Sequence, residues 1–368
     1  MSSAVEALVV EEEDVRTPAP RGRVAEFLLT GGITLLLFPL SWWLRASVGL
    51  DASELAFGFL FFHAAHVIND PHFSVTYLLF YENVRERALG ASIPRTQRIR
   101  YVIAGLVVPL VLVTWAGAAI ALRSPQALGW MVQLMFVLVG WHYVKQGFGV
   151  LTVLSMRRGV RFADHERRVI LAHCYAAWAY AWASPATPAG EFVEKGVVYW
   201  ATARPAWLEL GSGVVFALTT IALVIVLARR WRSLPLAPLS GFLITVWAWT
   251  VWSNADPLVR YAIPALHAVQ YFYFVALMRG NRARAEEAPP TFGRPVALRL
   301  GLLALSALGL GWLLFRGGPA LLDDGMPSDG PLGPTPFFAA FFVVVNVHHY
   351  FMDHVIWRRE NPETRWLR

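Results

Sequence analysis

Apolar runs of about 20 residues recur along the entire chain, and few folds can accommodate them. A helix rises about 1.5 Å per residue, so each run can cross a hydrocarbon core about 30 Å thick. Lipid offers no partner for a free backbone N–H or C=O, which leaves helices as the only way for such runs to cross. Only 15% of the 368 residues are charged and 56% are hydrophobic, whereas a soluble domain carries about a quarter charged residues. The chain is therefore expected to be an all-α, polytopic integral membrane protein. Ten spans are read, near 26–45, 54–81, 101–122, 127–156, 169–186, 206–228, 239–254, 258–278, 296–315 and 336–357.

Alternate connections are basic. Arg85, Arg87, Arg95, Arg98 and Arg100 form one group, and Arg157, Arg158, Arg161, Arg167 and Arg168 the next. Arg229, Arg230 and Arg232 follow, then Arg279, Arg282, Arg284 and Arg294, then Arg358, Arg359, Arg365 and Arg368. The intervening loops are poor in arginine, and residues 321–331 (LLDDGMPSDGP) are acidic. The positive-inside rule then places both termini and every basic loop in the cytoplasm, which an even number of spans satisfies. A multi-pass protein of a bacterial inner membrane is expected. Residues 1–23 are acidic and then Pro/Arg-rich, without the basic start and cleavage site of a signal peptide. They are expected to form a disordered cytoplasmic tail. Residues 24–358 would be the transmembrane helical domain and 359–368 a basic cytoplasmic tail. The net charge of +7 resides in short loops, which makes it a topology signal, and nucleic acid is not an expected partner. The single cysteine, Cys174, excludes an intrachain disulfide or a multi-thiolate metal site.

Histidine placement carries the functional signal. Nine of the ten histidines fall in spans, and only His165, in RFADHERR, lies in a loop as a solvated residue. His63, His66 and His72 belong to span two, His142 to span four and His173 to span five. His267 lies in span eight, and His348, His349 and His354 in span ten. Spans two, four, eight and ten all run inward in this topology, so most of these side chains lie at similar depth, between mid-membrane and the cytoplasmic surface. Ionisable groups in a bilayer are costly and mark functional sites. His63, His66 and Asp70 are spaced i, i+3, i+7, and Asn346, His349 and Asp353 repeat that spacing. At about 100° per residue each trio occupies one helical face. His354 sits beside the second trio, while His348 points nearly the opposite way. His72 would point away from His63 on a straight helix, but Pro71 in NDP can break it. In span four, Lys145 and Gln146 lie one turn from His142; in span eight, Gln270 and Tyr271 lie one turn from His267.

Neutral imidazole is the commonest metal ligand, and its second nitrogen is usually oriented by a carboxylate or carbonyl. An all-N/O donor set suits iron, zinc or copper(II). The first expected ligands are His63, His66, His142, His267 and His349. Asp70 and Asp353 would be ligands or acceptors of a ligand's ring N–H, and His72 and His354 are further candidates. Lys145, Gln146 and Tyr271 are the candidate catalytic residues, placed to bind an oxygenated group on substrate or dioxygen; Lys145 snorkelling to the cytoplasm is the alternative. His173 and His348 are read as interhelical hydrogen-bonding residues.

The segments NDPHFSVTYLLFY, WHYVKQGFG and NVHHYFMDHVIWR resemble motifs of a set of His-rich, polytopic bacterial membrane proteins of unassigned activity. HAAH (63–66) and HH (348–349) are similar to the boxes of membrane lipid oxidases that hold two irons, although those boxes are spaced HxxxH and HxxHH. PHF (71–73) partly resembles the Pro-His-Gly segment of the Brp/Blh-type carotene-cleaving dioxygenases, and that resemblance implies one iron held by histidines from several helices.

The favoured expectation is a membrane metalloenzyme using one or two transition-metal ions, iron first and zinc second. It would act oxidatively on a lipid or isoprenoid that enters from the bilayer, with a possible electron donor as partner. The alternatives are a zinc-dependent lipid hydrolase, a b-type cytochrome with haem between paired histidines, and a proton-coupled transporter.

Overall fold

The structure is a computed structural model that describes residues 20–326 and 330–367. Most of the expected N-terminal tail, residues 1–19, lies outside the described residues, as does Arg368. The fold is overwhelmingly helical. Six helices are long and apolar enough to cross a membrane: α1 (Gly22–Val48), α4 (Arg95–Ala121), α5 (Pro125–Met156), α7 (Ala206–Arg229), α9 (Pro257–Glu287) and α10 (Val296–Asp323). The other expected spans are helical too, but broken, shorter or more polar. They are α2 (Leu50–Ala64) with α3 (Asn69–Tyr81), α6 (Asp164–Ala183), α8 (Leu236–Val251) and α11 (Pro336–Ile356). The only strands among the described residues are β1 (Gly190–Glu194) and β2 (Val197–Ala201), an antiparallel hairpin between α6 and α7. The hairpin rests on α5 at Gly129, where an added Cβ would lie 2.2 Å from the Tyr199 side chain.

Outward faces are apolar. Leu210, Val214, Leu218 and Ile221 on α7, and Leu106, Leu110 and Val113 on α4, are exposed. Continuous patches of this kind suit lipid and would be a liability in water. Helix starts are set by local chemistry. Ser124 caps α5, accepting from the Ala127 N–H at 3.2 Å. Asp256 caps α9 through the Leu258 N–H at 3.0 Å. The Asp323 carboxylate caps α11, accepting from Phe337 and Phe338 N–H at 2.8 and 3.0 Å.

Between α2 and α3 the helix does break, although not at Pro71. Residues 65–68 form a turn, and Pro71 sits in the first turn of α3, where a missing N–H costs nothing. The break is braced by α10, for an added Cβ on Gly311 would lie 2.9 Å from the Asp70 carbonyl carbon. His72 consequently belongs to a different helix from His63, and His66 lies in the turn between them.

The interior is layered along α5, α9 and α11. One apolar cluster contains Met131, Met135, Ala339, Val343 and Val347. A second, nearer the arginine-rich face, contains Val75, Leu154, Phe274, Met278 and Met352. In α5 and α11 the buried polar residues His142 and His349 lie between these layers.

Candidate metal centre

Four helices each deliver one histidine to the polar layer: His72 from α3, His142 from α5, His267 from α9 and His349 from α11. All four are buried, and one ring nitrogen from each lies within 4.8 Å of all the others. The closest pair is His142 Nε2 and His267 Nε2 at 2.9 Å. The rings meet edge to face, with centroids 4.5 Å apart for His72 and His349 and 4.7 Å for His142 and His267. Tyr350 stacks on His142 at 4.8 Å and is held by its hydroxyl to Asn346 Oδ1 at 3.2 Å.

Polar satisfaction is poor here. Both ring nitrogens of His72, both of His349 and Nδ1 of His267 are buried with no hydrogen-bond partner among the described residues. A buried polar atom left unpaired costs about 1–3 kcal/mol. Five together would cost an amount comparable with the whole stability of a domain. A cation at their focus would take one nitrogen from each ring and so relieve one on His72 and one on His349, because neutral imidazole nitrogens are its natural ligands. A buried cluster of four histidines on four separate helices, aimed at one point, is a site that can hold a metal ion.

Asp353 stands beside the cluster. Its Oδ2 lies 3.4 Å from His349 Nε2 and 3.8 Å from His142 Nε2. Oδ1 accepts a hydrogen bond from the Tyr271 hydroxyl at 2.9 Å, and Thr76 Oγ1 lies 2.7 Å from that hydroxyl. Thr76 donates to the carbonyl of His72 at 3.2 Å, so one hydroxyl chain ties the carboxylate to the helix that carries His72.

The remaining candidates lie elsewhere. His63 is exposed and packs against Phe59 and Phe62. His66 is half-buried, accepting from Arg316 Nε at 3.1 Å and lying 3.5 Å from Asp70 Oδ2. Neither joins the four-histidine cluster, because the turn at 65–68 redirects the chain before α3, and nor does Asp70, which lies on α3 about 200° around from His72. His354 faces Trp141 at 5.1 Å, about 100° around the helix from Asp353. It borders a cavity and adds no ligand. Gln146 donates to Gln270 Oε1 at 2.7 Å and to the His267 carbonyl at 3.2 Å. Gln270 in turn donates to the Thr30 carbonyl at 2.6 Å. These amides tie α1, α5 and α9 together around His267, so the Gln146 amide is committed to helix packing. Lys145 points into a cavity, its Nζ 5.7 Å from the Phe148 ring centre. His348 is used for packing: Nδ1 lies 2.9 Å from the Tyr77 hydroxyl and Nε2 2.9 Å from the Ala104 carbonyl. His173 is buried between Phe216 and Trp247, with no hydrogen-bond partner among the described residues, in place of the expected interhelical bond. His165 is exposed. Thr76 and Tyr350 are site neighbours that the sequence reading did not single out. The i, i+4 spacings His72–Thr76 and Asn346–Tyr350 were the available signals.

Two cavities meet at the cluster. One of about 820 Å³ reaches His142, Tyr271 and Asp353 from the arginine-rich side, and one of about 650 Å³ reaches His72, His142 and His267 from the opposite side. Comparison with protein-family models, curated proteins and solved structures finds no match to this chain.

Proposed function

We propose that this chain is an integral-membrane metalloenzyme that holds a single non-haem iron through His72, His142, His267 and His349 and oxidises a lipid or isoprenoid. The observation that carries the reading is the convergence of four buried, largely unpartnered imidazoles on one point between two cavities. Two nitrogens each about 2.1 Å from an ion and at right angles to each other are about 3 Å apart. The 2.9 Å separation of His142 and His267 would suit such a pair, and all four ligand nitrogens lie within 4.8 Å of one another. His72, His142, His267 and His349 would hold the ion, and any position they leave free would be open to a reactant. Bound there, iron supplies the redox chemistry that no side chain can.

The protein's own groups surround that point. Asp353 faces His349 and His142, and Tyr271 and Thr76 hold the carboxylate in place. Its Oδ2 faces Nε2 of His142, the nitrogen that would meet the ion, so the carboxylate would stand beside the ion itself. Phe73 packs against the rings of His72 and His349, with centroids 4.9 and 4.8 Å away. Ten crossings with both termini on the cytoplasmic, arginine-rich side complete the reading, and they place the cluster within the bilayer, where a hydrophobic substrate has direct access.

The geometry disfavours the cytochrome alternative. Haem accepts two axial ligands and occupies the four equatorial positions itself, and four imidazoles within 4.8 Å of one another leave no plane for a macrocycle. Metal analysis of protein purified without chelators should give about one iron per chain. One zinc per chain that iron does not replace would favour the hydrolase instead. A Soret band would overturn the reading.

A further inference from the structure

The larger cavity has an unusual charge distribution. Five cations border it, Lys145, Arg161, Arg167, Arg358 and Arg359, against three acids, Asp164, Glu360 and, at its inner end, Asp353. None of the five forms an ion pair with a carboxylate among the described residues. Lys145 and Arg167 face only the rings of Phe148 and Tyr175, and Arg358 Nε is buried without a hydrogen-bond partner. On the same arginine-rich face Arg158 pairs with Glu26, Arg230 with Glu166, Arg279 with Glu82, and Arg299 with Glu286. Unneutralised positive charge is thus gathered where the cavity lies.

Topology alone does not account for this. The positive-inside rule explains the number of arginines on a face, not the convergence of five cations on one concave site. It also does not explain why one of only two lysines in the chain lies inside a helix, one turn from His142. Like charges beside low-dielectric walls repel strongly and focus a field that attracts anions. Beyond them the cavity is walled by Trp141, Phe148, Phe274 and Trp357 before it reaches Tyr271 and Asp353. At about 820 Å³ it has the size of a small-molecule site.

We propose that this cavity binds an amphiphile with an anionic head, a carboxylate or phosphate on a long hydrocarbon chain. Lys145 and Arg358 hold the head, Arg167 lies at the mouth, and the chain runs inward to His142 and Asp353. Guanidinium forks match both kinds of anion. Lys145 rises only about 4.5 Å along the helix from His142, so the head is anchored one to two helical turns from the metal centre. The fate of the chain at that centre rests on the function proposed above; binding of the head does not.

The test uses the full chain in neutral detergent with cis-parinaric acid, a fluorescent fatty acid excited by energy transfer from tryptophans such as Trp141 and Trp357. Its methyl ester is the uncharged control. The acid should bind at least about 10-fold more tightly than the ester. Lys145→Gln and Arg358→Gln should each remove most of that preference, whereas Arg284→Gln and the charge-conserving Lys145→Arg should keep it. Dodecyl phosphate should displace the probe and inorganic phosphate should not. His349→Ala should keep the preference while losing metal, which separates this proposal from the metal reading. Equal affinity for acid and ester in the wild-type chain overturns the proposal without relying on any variant. Displacement by inorganic phosphate alone would show a small-anion site and also overturn it.

Discussion

His63–His66–Asp70 and Asn346–His349–Asp353 share one spacing and nearly one composition, yet they end in opposite environments. In the first trio His63 is exposed, and His66 is satisfied by Arg316 at 3.1 Å and accompanied by Asp70. In the second, His349 is fully buried with neither ring nitrogen hydrogen-bonded, and it meets three histidines from three other helices. The comparison teaches that a helical face becomes a metal site only when other elements bring donors to it and leave them unpaired. A trio that meets no histidine from another helix in the metal-competent group stays a local polar cluster.

The largest expected difference between the two regions is in metal content. His349→Ala and His72→Ala should each remove most of the bound metal, measured on folded protein, while His63→Ala and His66→Ala should keep it. Loss in His63→Ala equal to that in His349→Ala would erase the distinction.

The two aspartates sharpen the comparison one level down. Asp353→Asn should weaken metal affinity about 10–100-fold, the scale for losing a charged group next to the ligands, whereas Asp70→Asn should leave it unchanged. Competition with a chelator of known affinity reads both.

His348 offers a control inside the same helix as His349. Its two hydrogen bonds, to Tyr77 and Ala104, join α11 to α3 and α4. His348→Ala should therefore lower thermal stability by about 1–3 kcal/mol with metal content intact. Metal loss without loss of stability would show that the wrong face of α11 has been assigned to the site.

Arg316→Gln should give the smallest effect. It removes the donor to His66 and the contact with Phe62, a partly exposed interaction worth about 0–1 kcal/mol. No change in metal content is expected, and a large drop would join the two regions into one functional unit.

How much of this was legible depends on the distance over which the information acts. Apolar runs, basic loops and the face relation of Asn346, His349 and Asp353 are local properties of the chain, governed by helical period and the cost of polar groups in lipid. They pointed to a helical membrane protein and to the histidines as its chemistry. They also separated His348 from His349, since adjacent residues on a helix differ by about 100°. Local information could not rank His63 and His66 below His72. That ranking depends on a four-residue turn at 65–68 braced by Gly311 from a helix some 240 residues later in the chain. Nor could it commit the Gln146 amide to Gln270 or give Asp353 its Tyr271 partner, because those contacts cross between helices. By itself the sequence determined which segments are apolar helices and which side chains share a stripe on each, because hydrophobicity and the helical period act within one segment. Only the tertiary structure decided which four histidines meet, because convergence depends on how separate helices break, rotate and pack, and no single segment encodes that.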